Sequence, residues 1–142
     1  MIQLPTVARA AITAHAEADF PNEACGLLLG RRLGDQILIS DAVPSANIAA
    51  KPAHRFEIDP GLRLRLQKAA RTGGGEIIGH YHSHPNGAAQ PSATDRQGIF
   101  EVDLLWLIAA VRDGHLQQID AFMPCADGSG FTEISLSLPE DA

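Results

Sequence analysis

A short apolar strand that leads directly into alternating histidines is the feature that most constrains this chain. Residues 76–84 read Glu-Ile-Ile-Gly-His-Tyr-His-Ser-His, and Pro85 follows. Because successive side chains of a strand point to opposite faces, His80, His82 and His84 are predicted to share one face. Pro85 has no backbone N–H to extend a strand ladder, so the strand is expected to stop there with its tip open.

The histidines and a nearby aspartate have the spacing of a zinc site. Imidazole nitrogen and carboxylate oxygen both bind zinc, and a catalytic zinc usually has three protein ligands and one open position. His82, His84 and Asp95 can supply that set. A fourth protein ligand would close the site to water, so His80 is expected to support the site or the core instead.

Ser92 and Asp95 have a second possible role at the start of a helix. Their Ser-x-x-Asp spacing is a variant of the capping box, in which the serine caps the helix and the acid reaches back to it. Taken alone, the pattern favours capping, but the adjacent His-x-His-Pro favours a ligand role for Asp95. Ser92 can serve both purposes, because its hydroxyl can also donate a hydrogen bond to an oxyanion.

A zinc hydrolase also needs a group that moves the proton of the attacking water. The sequence has no His-Glu-x-x-His motif, so this group has to come from elsewhere in the chain. Glu23 stands out because it directly precedes the apolar run 24–30, although a solvated loop carboxylate would look the same. The candidate carboxylates are Glu17, Glu23, Glu57, Glu76 and Glu101.

Length and composition indicate an ordinary globular protein, expected to be one domain over residues 1–142. The net charge of −6 gives no sign of a nucleic-acid surface. No apolar run approaches the roughly 20 residues that span a membrane, and the start lacks the pattern of an export signal, so a cytoplasmic protein is expected. In that compartment Cys25 and Cys125 are expected to be buried free thiols, although their separation in the sequence also permits a disulfide.

The pattern of apolar residues and breakers predicts an α/β fold, with a mixed sheet and helices on its faces. The continuous apolar run 104–111 suits a strand that is covered on both faces. Thr6 is the expected cap of the first helix. The predicted helices are 6–19, 60–71 and 92–101. The predicted strands are 24–29, 36–43, 54–59, 76–82, 104–111, 116–123 and 131–138.

The motif residues together resemble the signature of the JAMM metallopeptidases, also called the MPN-plus or Mov34 family. That signature is an upstream Glu, then His-x-His-Pro, six residues, Ser, two residues and Asp. Glu23, His82-Ser83-His84-Pro85, Ser92 and Asp95 match it without a gap. The segments 21–30 and 56–60 also resemble the prokaryotic branch of the family.

The resemblance implies a cytidine-deaminase-like MPN domain with one zinc ion per chain at a strand end. His82, His84 and Asp95 would hold the zinc, with water at the open position. Glu23 would be the general acid and base. Ser92 would stabilise the oxygen of the tetrahedral intermediate.

Members of this family cleave peptide or isopeptide bonds after the Gly-Gly tail of ubiquitin or ubiquitin-like proteins. The resemblance therefore implies a ubiquitin-like or sulfur-carrier protein with such a tail as the substrate. An extended tail can lie along a strand edge and enter a channel that only glycine fits. The stretch between Arg112 and Phe131 holds one His and one Cys, too few for the second zinc of some larger relatives. The substrate's identity and the oligomeric state stay open.

Three other kinds of protein share parts of this pattern. A non-catalytic MPN-type interaction module that retains metal is the main alternative, although the intact Glu23 and Ser92 argue against it. A zinc deaminase would need Pro-Cys-x-x-Cys, whereas Pro124-Cys125 is followed by Ala-Asp-Gly. A cell-wall peptidase would usually need an export signal.

Overall fold

In a computed structural model that describes residues 1–137, the chain forms one mixed eight-stranded sheet with helices packed on it. The predicted α/β class, with a mixed sheet and flanking helices, is confirmed. The strands are β1 (Ile2–Gln3), β2 (Cys25–Leu33), β3 (Gln36–Ser45), β4 (Glu76–His84), β5 (Leu105–Arg112), β6 (His115–Pro124), β7 (Phe131–Ile134) and β8 (Leu136–Ser137). The helices are α1 (Thr6–Asp19), α2 (Pro60–Ala70) and α3 (Ala93–Gln97).

The strand that carries the histidines lies inside the sheet. The strand order is β7-β6-β5-β4-β2-β3-β1-β8, so β4 has β2 on one side and β5 on the other. β4 runs parallel to β5 and antiparallel to β2, and Cys25 of β2 lies opposite His82. This pairing brings the residues just before β2 next to the histidine end of β4.

The two faces of the sheet differ in what covers them. Helix α1 buries Ala8, Ile12 and Ala16 in the main core, together with Tyr81 of β4. The opposite face carries a smaller aromatic cluster that includes Trp106 and the half-buried Phe56. The rings of His80 and His82 lie on this second face, where they contact Trp106 and Phe56. As predicted, β5 is buried on both faces, apart from its last residue.

Two predicted elements are wrong in extent or kind. The predicted strand 54–59 makes only an isolated bridge between Asn47 and Ile58. Its residues are held by the side chain of Asn47 and by packing of Phe56 against His82, rather than by a strand partner. The predicted helix 92–101 stops at Gln97, since the chain leaves the helix at Gly98.

Smaller differences concern the ends of the chain. The short edge strands β1 and β8 were not predicted separately, and the predicted strand 131–138 is split into β7 and β8, while Leu138 lies outside the described residues. Helix α1 follows Pro5 and has no side-chain cap, so Thr6 does not cap it. Cys25 and Cys125 are free thiols, as predicted, but only Cys25 is buried. None of the described helices is long and apolar enough to cross a membrane.

Candidate metal centre

Three side chains converge where β4 ends and α3 begins. His82 and His84 are among the last three residues of β4, and Asp95 is in the first turn of α3. One ligand atom from each lies within 4.8 Å of the others, and all three residues are buried. The Nε2 atoms of His82 and His84 are 3.0 Å apart. Asp95 places Oδ1 at 3.2 Å from the first and Oδ2 at 3.0 Å from the second.

The hydrogen bond on the far side of the His84 ring fixes how that ring faces the cluster. His84 Nδ1 lies 2.9 Å from the carbonyl oxygen of Ala88, which can only accept. Nδ1 therefore carries a proton, and in the neutral ring Nε2 presents its lone pair to the cluster. A metal-binding histidine is commonly oriented in this way by a backbone carbonyl.

His82 is enclosed by aromatic rings. Its side chain is fully buried, with Phe56 stacked on one face and the edge of Trp106 nearby. Desolvation lowers the pKa of His82, which favours the neutral ring that metals bind, although Asp95 acts in the opposite direction. Burial also lowers the pKa of His84, but its hydrogen bond to Asp95 and the charge of Asp95 outweigh this and raise it.

Asp95 and Ser92 form the predicted capping box. The Ser92 hydroxyl accepts from the Asp95 N–H at 3.0 Å, and Asp95 Oδ2 accepts from the Ser92 N–H at 2.9 Å. Burial tends to raise the pKa of Asp95, but hydrogen bonds to His82 and His84 hold it well below its usual range. The carboxylate is therefore ionised and held rigidly against both rings, and capping does not exclude a ligand role.

The chemistry of this donor set fits a divalent cation. The lone pair of His84 Nε2 and the ionised oxygens of Asp95 are acceptors that face one another in a buried space. Such acceptors repel unless a proton or a cation lies between them. Two imidazoles and one carboxylate are a zinc ligand set, and three protein ligands leave one position open. His82, His84 and Asp95 are the residues that could hold the ion.

Glu23 differs from the other candidate carboxylates in its surroundings. It is buried at 6% exposure, and its Oε1 has no hydrogen-bond partner among the described residues. Burial raises the pKa of Glu23 to about 7; among the smaller effects, His84 lowers this pKa and the charge of Asp95 raises it. The other four are committed or exposed: Glu17 accepts from Leu116 N–H, Glu76 pairs with Arg32, Glu101 pairs with Arg63, and Glu57 is exposed.

His80 lies on the same face of β4 but outside the three-residue cluster. Its ring meets Trp106 edge-on, with centroids 4.4 Å apart, and it also contacts Phe56. Burial lowers the pKa of His80 to about 3, so the ring is neutral. This placement agrees with the supporting role expected for it.

A cavity of about 900 Å³ opens beside the cluster. Asp95 and His80 line it at the site end, and Phe56, Trp106 and Phe100 supply apolar walls. Phe100 is 89% exposed. The lining also includes charged residues, among them Arg55 and Arg63, and a volume of this size can receive part of a peptide next to the candidate metal ligands.

The sequence pattern does not identify the non-ligand residues that hold the site in place, which are Phe56, Asn47 and Ser83. Phe56 belongs to a segment that resembles the prokaryotic branch, with no role assigned to it. Asn47 and Ser83 carried no recognisable signal, since a polar residue in a loop or inside a motif has many ordinary roles. Their contacts depend on which segments the sheet brings together, and that is not visible in local spacing.

Comparison with known proteins gives a consistent result. The family model described as prokaryotic homologs of the JAB domain matches residues 5–123. The chain is 37% identical over 100 residues to a desampylase of Haloferax volcanii, covering 68% of this chain and 70% of the relative. It is 30% identical over 112 residues to the CysO-cysteine peptidase of Mycobacterium tuberculosis, covering 79% and 75%.

A solved structure shows the same fold at useful identity. The solution structure of a protein from Desulfitobacterium hafniense superposes with a TM-score of 0.86 at 34% identity, covering 99% of this chain and 94% of that one. The relationship predicted from the motif is confirmed: the chain belongs to the prokaryotic JAB family of JAMM peptidases.

Proposed function

We propose that this protein is a zinc-dependent hydrolase of a peptide or isopeptide bond that follows the Gly-Gly tail of a ubiquitin-like protein. The observation that carries the proposal is the buried convergence of His82, His84 and Asp95 on the face of β4 that opens to a cavity. Glu23 is a buried carboxyl group with a raised pKa, and the charges of His84 and Asp95 also affect this pKa.

Each residue has a distinct part in the proposed reaction. Zinc held by the three ligands would supply Lewis acidity, which polarises a carbonyl and acidifies water. Glu23 takes the proton of the attacking water at its carboxylate and passes it to the leaving nitrogen. In the metal-free protein burial raises the pKa of this carboxyl to about 7, and a carboxyl whose pKa is raised towards neutral pH suits both accepting and returning a proton. The Ser92 hydroxyl donates a hydrogen bond to the oxygen that becomes negative.

The substrate class is supported by the relatives and by the cavity. The two named relatives are a desampylase and a CysO-cysteine peptidase. Together with the family resemblance, they support a ubiquitin-like or sulfur-carrier protein as the substrate of this chain. The cavity beside Asp95 has apolar walls and room for an extended tail.

The first experiment measures zinc per chain by elemental analysis, for the parent and for His82→Ala. We expect about one zinc in the parent and a large loss in the variant. Carriers that end in Gly-Gly and carry an added residue or a conjugated protein are then incubated with parent and Glu23→Gln, with and without a chelator. Glu23→Gln should retain zinc and lose roughly 10²–10⁴-fold in cleavage rate.

Three results would contradict the proposal. If the parent takes up no zinc even when it is supplied, the three-residue cluster is not a metal site. If Glu23→Gln binds zinc and cleaves as fast as the parent, the assigned mechanism is wrong. A zinc-loaded parent that cleaves none of these carriers would favour the interaction-module alternative.

A further inference from the structure

The peptide group that follows Glu23 is held from both sides by side chains. Its carbonyl, which belongs to Glu23, accepts a hydrogen bond from Asn47 Nδ2 at 2.9 Å. Its N–H, which belongs to Ala24, donates to Ser83 Oγ at 2.8 Å. Two side chains from distant parts of the sequence thus fix the orientation of one peptide plane.

Ser83 reaches this peptide group from between two of the candidate metal ligands. It is buried at 1% exposure, and its own N–H donates to the Ala24 carbonyl at 2.9 Å. Ala24 and Ser83 are therefore joined by two hydrogen bonds, one of which uses the serine side chain. Since His82 and His84 flank Ser83, this pair ties the backbone beside Glu23 to the backbone that carries the ligands.

Asn47 reaches the same peptide group from the opposite direction. Besides Glu23, its Nδ2 donates to the Arg55 carbonyl at 3.0 Å, and its Oδ1 accepts from the N–H groups of Ala49 and Glu57 at 3.1 and 3.0 Å. The N–H of Glu23 donates to the carbonyl of Pro52, which belongs to the same segment, at 2.7 Å. The side chain of Asn47 thus joins Glu23 to the segment that places Phe56 on His82.

These bonds matter because the Glu23 carboxylate is not fully held by bonds of its own. Oε1 is buried and has no partner within the described part of the chain. The position of such a group is set largely by its backbone, and a displacement of about 1 Å can cost roughly 10²-fold in rate. An oxygen without a protein partner is also free to take a proton from water.

We propose that Asn47 and Ser83 are positioning residues, which set the direction of the Glu23 side chain by holding the Glu23–Ala24 peptide group. This inference rests on the proposed function, in which Glu23 moves the proton. It adds two residues that would act through Glu23.

The test compares cleavage of a Gly-Gly-tailed carrier by zinc-loaded variants. Ser83→Ala removes the acceptor for the Ala24 N–H. Asn47→Asp removes the donor to the Glu23 and Arg55 carbonyls but keeps an oxygen for Ala49 and Glu57. Each should lower kcat about 10- to 100-fold, with KM and zinc content within twofold of the parent. Ser83→Thr keeps the hydroxyl and should restore kcat to within about threefold.

Two controls separate this inference from general damage and from the proposed function. Ser40→Ala removes an exposed hydroxyl that bonds the Leu29 carbonyl on β2, and it should leave all three readouts unchanged. Glu23→Gln, measured in parallel, reports whether Glu23 acts at all. Adding Ser83→Ala to Glu23→Gln should not weaken zinc binding or carrier binding.

The outcomes distinguish a failure of the positioning role from a failure of the proposed function. If Glu23→Gln is inactive while Ser83→Ala and Asn47→Asp have the kcat of the parent, the positioning role is wrong and the proposed function stands. If either variant loses zinc or carrier binding together with kcat, the residue supports the fold of the site and the positioning role is also wrong. If Glu23→Gln is fully active, the proposed function itself fails.

Discussion

Phe56 stacks on His82, with ring centroids 4.3 Å apart and ring planes inclined by 17°. The two residues come from different parts of the fold, since His82 is in β4 and Phe56 lies in the irregular segment between β3 and α2. The contact covers one face of a candidate metal ligand, and the edge of Trp106 approaches the same ring, with centroids 5.7 Å apart. The orientation of the His82 ring is therefore fixed by packing.

Replacing Phe56 should weaken metal binding without removing a ligand. Phe56→Ala would leave His82 free to rotate and would admit water, and changes in the groups around metal ligands typically cost about 10- to 100-fold in affinity. We expect a zinc dissociation constant at least tenfold higher, measured by competition with a chromophoric chelator. Phe100→Ala is the matched control, because that ring is 89% exposed and should leave the constant unchanged. Equal affinity in both variants would show that the stacking does not support the site.

The capping box at Ser92 predicts a separate effect on stability. Ser92→Ala would leave the Asp95 N–H without its acceptor, and loss of a serine cap typically lowers the free energy of unfolding by about 1 kcal/mol. The measurement is denaturant unfolding of the metal-free protein, with Ser40→Ala as the control. If Ser92 also stabilises the oxyanion, kcat should fall by more than tenfold in the zinc-loaded variant. A stability loss with an unchanged kcat would leave capping as its only role.

The candidate ligands could be predicted from sequence because their chemistry is local. His82 and His84 share a strand face by the alternation of side chains, and the spacing to Asp95 allows one short turn before the next helix. The motif also selected Glu23, which is far away in sequence. Local spacing alone could not have selected Glu23, and only the family signature did so. Glu23 is near the site because β2 pairs with β4 and places Cys25 opposite His82.

What escaped prediction depends on packing between distant segments. The segment 54–59 has a strand-like pattern, yet its N–H and carbonyl groups are satisfied in part by Asn47 rather than by a neighbouring strand. Ser83 looks like an ordinary strand residue until Ala24 is placed beside it. Helix 92–101 was predicted too long because local propensity does not show that Gly98 ends it.

The two cysteines should react at very different rates. Burial raises the pKa of the Cys25 thiol to about 12, with smaller effects from nearby carboxylates, so almost no thiolate is present at neutral pH. Cys125 is half-buried and accessible to reagents. Brief treatment of the native protein with iodoacetamide, followed by peptide mass spectrometry, should label Cys125 and leave Cys25 unmodified. Labelling of both should require denaturant, and equal labelling in the native state would show that β2 opens readily.

The raised pKa of Glu23 predicts that this residue makes the metal-free protein less stable as the pH rises. In the unfolded chain the carboxyl ionises near its ordinary pKa of 4.5, whereas in the folded protein burial shifts this to about 7. Between these values the folded protein holds a proton that the unfolded chain releases, so the free energy of unfolding falls as the pH rises. The loss is complete above pH 7 and amounts to at most about 3 kcal/mol.

Glu23→Gln removes this titration and isolates its effect. With EDTA present, the variant and the parent should have similar unfolding free energies near pH 4.5, where the parent carboxyl is largely protonated in the folded state. At pH 8 the variant should be the more stable of the two by 1 kcal/mol or more, while it lacks activity in the presence of zinc. Such a result would show that the Glu23 carboxylate lowers stability and is still needed for cleavage. This combination is expected where a residue serves the reaction at a cost in stability. Parallel stability curves for the two proteins from pH 4.5 to 8 would show that the Glu23 carboxyl is not desolvated in the folded state.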